Sequence, residues 1–197
     1  MSLYRYGDKA EKGETVSEQL GGWVEASTQY LTPRSGAHGD TWAGEASKHG
    51  QSGTQVLREV AELAPPLEVT EALGLAEGEL AVVRRRTMLL NNTPVELTDS
   101  YYPTPVAGGT ALAEHRKIPG GAVALLAERG FTAAKAVEDV TARPATPDEA
   151  DALQLPPGAF VLVLDRTSYT ADGTPFESAH MVMNPVGRRL RYEITMG

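Results

Sequence analysis

EALGLAEGELAVVRRRTMLLNNTPVE, residues Glu71–Glu96, returns eighty positions later as DALQLPPGAFVLVLDRTSYTADGTPFE, residues Asp151–Glu177. Ala72, Leu73, Leu75, Gly78, Val83, Arg86 and Thr87 recur as Ala152, Leu153, Leu155, Gly158, Val163, Arg166 and Thr167. After a one-residue insertion in the turn, Thr93, Pro94 and Glu96 recur as Thr174, Pro175 and Glu177. The same offset pairs Gly50 with Gly130 and Val60 with Val140, so the repeat unit begins near Thr41 and again near Gly121. Two copies are too few for a solenoid, whose repeats bury their faces only against neighbours, and point to one domain with an internal pseudo-twofold repeat.

Each copy reads as the same order of elements. Gly121–Arg129 has apolar residues at helical spacing and ends at Gly130, a residue suited to closing a helix, and Trp42–His49 before Gly50 is its counterpart. Lys135–Arg143 alternates as a strand; its mate Gln55–Leu63 also carries helix-compatible Leu, Glu and Ala. Thr146-Pro147-Asp148-Glu149 offers a capping hydroxyl, a proline at the first helical position and acids at the positive end of the helix dipole, giving a short helix through Leu155, matched by Glu68–Leu75. Hairpins follow, Leu80–Leu90 turning at Asn91-Asn92 and Phe160–Thr170 turning at Asp172-Gly173, residues that tolerate the positive φ of two-residue turns. The expectation is an α+β fold, an antiparallel sheet of roughly six strands covered by helices. Residues 1–40 lie outside the repeat; rich in Gly, Ser and Thr and without apolar period, they read as an arm or insertion, with a short helix possible at Val16–Leu20, and residues 41–197 form the domain.

Bulk properties narrow the function classes. A chain of 197 residues can bury about 70% of its unfolded surface. With 26 acidic against 18 basic residues, net charge −8, its own surface is a poor match for DNA phosphates, which demand clustered Lys and Arg. It has no cysteine, hence neither disulfides nor thiolate chemistry. No stretch approaches the ~20 apolar residues of a membrane helix, and the first dozen residues are too polar for a signal peptide, so a cytoplasmic protein without membrane contact is expected.

Val82–Pro103 (VVRRRTMLLNNTPVELTDSYYP), then GTALAE from Gly109, IPGG from Ile118, the Ala-Leu-Leu helix ending Arg129-Gly130, and PFESAHMVM from Pro175 together resemble the UTRA effector domain of HutC-type GntR transcription regulators. The resemblance spans about Thr41–Thr195. It implies a six-stranded antiparallel sheet with helices, like that of chorismate lyase. It also implies a homodimer whose winged helix-turn-helix reads DNA and whose UTRA domain holds a small-molecule metabolite that changes the spacing of the DNA-reading heads. Residues 1–40 supply neither the amphipathic helices nor the basic surface of such a head, so DNA is expected to be contacted only through a winged helix missing from this chain, cut away rather than never encoded.

The same resemblance implies ligand residues. An Arg-x-Arg pair on the first hairpin strand falls on Arg86 and Met88, where Met88 departs from the pattern and argues against a phosphorylated sugar. Arg84 shares that face by alternation, and the planar fork of arginine suits a carboxylate or phosphate. Arg86 and its mate Arg166 are otherwise structural arginines, each paired with a glutamate of its own half. Glu177 matches a glutamate that receives hydrogen bonds from the effector, although its mate Glu96 suggests a role in the fold. Thr41 corresponds to a serine at a helix start, where free N–H groups favour an anion, and otherwise is a simple cap. Thr98, Asp99 and Tyr101 on the second hairpin strand could line the same pocket, with Tyr101 equally suited to the core; Trp42 could wall the pocket or fill the core. His38, His49, His115 and His180 lack metal-ligand spacing, and no cofactor is expected. Arg188, Arg189 and Arg191 read as a solvated strand end or dimer contact. The rival reading is a chorismate-lyase-like enzyme with Arg86 holding a carboxylate and Glu177 acting on substrate, but no nucleophile–base set or glycine-rich phosphate loop accompanies it, and no catalytic residue is expected.

Overall fold

The computed structural model describes residues 23–25, 28–32 and 41–193. In chain order these give β1 (Trp23–Glu25), α1 (Thr28–Leu31), α2 (Thr41–Lys48), β2 (Gly53–Leu63), α3 (Leu67–Leu73), β3 (Ala81–Leu90), β4 (Thr93–Pro103), α4 (Thr104–Ala107), a 3-10 turn (Ala111–Ala113), α5 (Gly121–Glu128), β5 (Lys135–Pro144), α6 (Pro147–Ala152), β6 (Phe160–Tyr169), β7 (Pro175–Met183) and β8 (Arg188–Leu190). The six long strands form one sheet in the order β2-β3-β4-β7-β6-β5, with every neighbouring pair antiparallel. From either edge inward the sheet runs through one half's strand and hairpin, with β4 and β7 meeting at the centre. The ambiguous Gln55–Leu63 segment is a strand, its alternating exposure showing an edge with one face inward.

Central strands carry apolar residues on both faces because both are covered. On one face α5 brings Leu126 against Val82, Tyr102 and Phe176, and α2 brings Trp42 and Ala46 against Met88 and Leu90. On the other, α3 places Val69 and Leu73 on Ala81, Val83 and Tyr101, while Leu153, just past α6, packs on Val161, Val163 and Val182. Each fully buried side chain of this size contributes about 1.5–3 kcal/mol.

Turn chemistry fixes the hairpins. Asn91 and Asn92 sit at φ 47° and 65°, as a two-residue turn between right-twisted strands requires. The second hairpin differs from the two-residue expectation. Only Gly173 has positive φ, and the loop closes through a Thr170–Thr174 backbone bond around three residues, so the turn itself takes up the inserted residue, while the bulge at Phe176 has its counterpart at Val95 of the first hairpin. The two described pieces of the first forty residues contact the domain: β1 pairs in parallel with β8, and Tyr30 of α1 packs on the Trp42 cluster. The possible helix at Val16–Leu20 lies outside the described residues.

Candidate functional site

A cavity of about 390 Å³ opens over the α2/α5 face of the sheet. Its floor is built by alternation: Arg84, Arg86 and Met88 from β3, Glu96, Thr98, Ser100 and Tyr102 from β4, Glu177 and Met181 from β7, and Arg166 from β6. Two helix N-termini form its walls, Thr41–Ala43 of α2 and Gly121–Val123 of α5. The dipoles of two helices whose N-termini point here favour an anion. Close approach of α2 depends on Gly53, where a Cβ would come within 2.8 Å of both the Ala46 Cβ and the Trp42 carbonyl oxygen. Gly120 precedes α5 at φ 77°, a conformation that favours glycine.

The structure gathers Thr41, Trp42, Arg84, Arg86, Met88, Thr98 and Glu177 around this cavity, and excludes Tyr101. Alternation along β4 turns Tyr101 to the opposite face, where it is buried with Val69 and Leu73 in a second, separate depression. Asp99 follows the same parity and pairs with Arg58 at 3.0 Å and Arg85 at 3.2 Å. Tyr102, the neighbour with the right parity, takes the place expected for Tyr101.

The charged residues divide into committed and available groups. Arg84 is committed: its guanidinium donates to the carbonyls of Ala111, Leu112 and Glu114 from Nη1 and of Arg116 from Nη2, at 2.8–3.2 Å. It therefore pins the segment that carries Lys117, Ile118 and Gly120 onto the cavity rim, and burial pulls its pKa below the usual arginine value. Arg86 is available. Its Nη2 donates to Ser100 Oγ at 2.8 Å, and among the described residues its Nε has no acceptor and no glutamate pairs with it. Arg166 does face a glutamate of its own half, Glu138, but loosely at 3.7 Å.

Glu177 accepts from the Tyr102 hydroxyl at 2.8 Å through Oε1. Burial, and then the neighbouring Glu177 carboxylate, push the Tyr102 hydroxyl well above its ordinary range, so it stays a donor. Glu96 is held differently, by Thr98 Oγ1 at 2.7 Å and by Arg188 Nη1 at 2.5 Å. The Arg188 side chain is 0% exposed, which corrects its reading as a solvated strand end. Trp42 does both things expected of it, lining the cavity and filling the core, with its Nε1 donating to the Leu89 carbonyl at 2.9 Å. Sequence reasoning missed Tyr102, Ser100, Lys117 and Arg166 as cavity residues; strand parity would have found the first two.

These features place the chain among ligand-holding α+β domains, and the comparisons with known proteins specify which. The model of the UTRA domain matches residues 47–185, so the chain belongs to the UTRA domain family. It is 35% identical over 114 residues to an HTH-type transcriptional regulator of Streptomyces coelicolor, covering 56% of this chain and 42% of that protein. It is 34% identical over 139 residues to an HTH-type transcriptional regulator of Mycobacterium tuberculosis, covering 66% of this chain and 48% of that one. The chain thus spans about half the length of these relatives. Among solved structures, the ligand-binding domain of a GntR-family regulator from Bordetella bronchiseptica superposes with a TM-score of 0.64 at 28% identity, covering 73% of this chain and 89% of the other. The effector domain of PhnF from Mycobacterium smegmatis shares the fold, with a TM-score of 0.69 at 17% identity over 79% of this chain and 94% of that one.

Proposed function

We propose that this domain is the metabolite sensor of a GntR-type transcription regulator of the HutC subfamily, binding a small anionic effector in the cavity between α2 and α5. The observation carrying this reading is the convergence of an uncommitted Arg86, Lys117 at the rim and two helix N-termini on one enclosed space. The Oε2 of Glu177, without a hydrogen-bond donor among the described residues, would accept from a hydroxyl or amine on the same ligand. Met88 replaces a second cation beside Arg86, which favours a carboxylate over a phosphorylated sugar.

The regulator would act as a cytoplasmic homodimer, with DNA held by a winged helix outside this domain and no cofactor or catalysis required. Ligand binding shifts a conformational equilibrium only through its differential affinity for the two states, and the segments around Thr41 join the cavity to the N-terminal side of the chain.

A thermal-shift screen against sugars, sugar phosphates, amino acids and organic acids tests the proposal, repeated with Arg86→Ala. A ligand at about 100 times its dissociation constant adds roughly 2.7 kcal/mol, raising the melting point by about 5 to 10 °C. The expected outcome is a hit among organic acids that disappears in the variant. Hits that survive Arg86→Ala unchanged would refute the assignment of the cavity.

A further inference from the structure

The face of the sheet turned away from this cavity carries an unbroken row of ionisable residues crossing all six strands. Register places Glu59 opposite Arg85, Arg85 opposite Asp99, Asp99 opposite His180, His180 opposite Asp165, and Asp165 opposite Asp139. At the β2–β4 end the acids are answered: Arg85 lies 2.9 Å from Glu59, and Asp99 has both Arg58 and Arg85. The β5–β7 end is not balanced. Asp139 and Asp165 stand directly across from each other on neighbouring strands, an arrangement that costs stability; the cations near them are His180, 2.6 Å from Asp165, and Arg143, which is already bonded to Glu149.

That unbalanced end opens into a second cavity, about 520 Å³, roofed by α3. Glu68 of α3 adds a third carboxylate to its lining. At its floor Ser178 is 8% exposed, and its hydroxyl makes no side-chain hydrogen bond among the described residues. With its residue buried and its hydroxyl open to the cavity, Ser178 takes a partner from whatever fills that space. Val69, Ala72 and Val137 make the remaining walls apolar.

We propose that this second cavity binds a small aliphatic amine, its ammonium held between Asp139 and Asp165 with the Ser178 hydroxyl as a further acceptor, and its methylene chain lying on Val69, Ala72 and Val137. An organic cation suits the site better than a metal ion. A hard divalent cation demands six or more oxygens, and among the described residues no three acidic or imidazole groups converge as a ligand set, whereas an ammonium has three donors and an alkyl chain matches the walls. The site shares no residue with the Arg86 cavity and stands independently of the function proposed for it.

The test is titration calorimetry of the whole chain with 1,4-diaminobutane, against 1,4-butanediol as the uncharged isostere and potassium chloride at matched ionic strength. Saturable binding is expected for the diamine alone, weakened about tenfold or more by Asp139→Asn and unchanged in Arg86→Ala. Asp139 is exposed and makes no ion pair, so its variant should fold, and relief of the like-charge contact should raise the melting point of the amine-free chain. Ser178→Val provides a second variant, filling the floor of the cavity and abolishing binding. The proposal is overturned if the diamine gives no more heat than the salt, if the diol binds equally, or if Asp139→Asn binds the diamine as well as the parent.

Discussion

The two halves of the sheet present the same residue types at equivalent positions and use them differently. Arg86 in the first half donates to a serine, whereas Arg166 in the second makes no side-chain hydrogen bond among the described residues and stands 3.7 Å from Glu138. Glu96 is locked by Thr98 and a fully buried Arg188, while Glu177 takes a single hydroxyl and keeps an oxygen for the cavity. Arg84 faces Leu164 across the repeat, and only the first half therefore has a guanidinium to hold the loop at Ala111–Arg116. Arg86 with Arg166 and Glu96 with Glu177 all line the cavity, so matched residues build its floor, and their partners, which do not recur, make its two sides different.

Replacing Arg84 by the residue of the other half tests that division most severely. Arg84→Leu removes the donor for four carbonyls, one of them in a buried bond and three in part-buried ones, at about 1–3 kcal/mol for each group left unpaired. An expected net loss of about 3–5 kcal/mol, read from urea unfolding, would make this the largest single effect in the molecule. A loss under about 1 kcal/mol would mean that the loop holds itself, and that the guanidinium is available to a ligand after all.

The two glutamates provide a finer contrast. Tyr102→Phe strips Glu177 of its named donor in a buried setting and should cost about 2 kcal/mol. Thr98→Val takes one of two donors from Glu96 and leaves the Arg188 ion pair in place, so about 1 kcal/mol is expected. Paired chemical denaturation curves decide the order; equal losses would erase the distinction between a locked and an open carboxylate.

Much of this was legible in the residues. The displaced repeat in Glu71–Glu96 and Asp151–Glu177 announced two equivalent hairpins, Asn91-Asn92 announced their turn, and Thr146-Pro147 announced a helix start that the structure places at Pro147. Seven of the eight named ligand residues line one cavity, five of them on strands whose alternation is readable without coordinates. Tyr101 fills the core, the other role open to it, and its neighbour Tyr102 has the parity that reaches the cavity. The partnerships were not legible at all. That Arg188 would reach Glu96 depends on β8 folding back over the sheet, and that Arg84 would turn to backbone carbonyls depends on a loop with no regular pattern. Long-range pairing of this kind is set by tertiary packing, which no local period records.

The smallest difference between the halves lies at the helices that follow β2 and β5. α6 begins with a capping box: Thr146 accepts from the Glu149 amide, and the Glu149 carboxylate accepts from the Thr146 amide. α3 has Pro66 and Val69 at the matching positions and no side-chain cap, so it relies on burying Val69 instead. Thr146→Ala should therefore cost about 1 kcal/mol. The bidentate Arg143 contact, and after it the Thr146 amide, hold the Glu149 carboxyl down to about 2. A carboxylate whose folded pKa is depressed contributes stability that is fully present above its unfolded value, roughly 4.3, and drains away as the pH falls toward 2. Arg143 is more than a third exposed, so solvent screens the pair and its share stays under about 1 kcal/mol. Carbon-detected titration of Glu149 in Arg143→Gln should find its pKa back toward the ordinary range, with the acid-side loss of stability beginning at correspondingly higher pH. A Glu149 pKa that stays near 2 without Arg143 would assign the whole shift to the capping box, and would make the start of α6 the stronger of the two helix starts by hydrogen bonding alone.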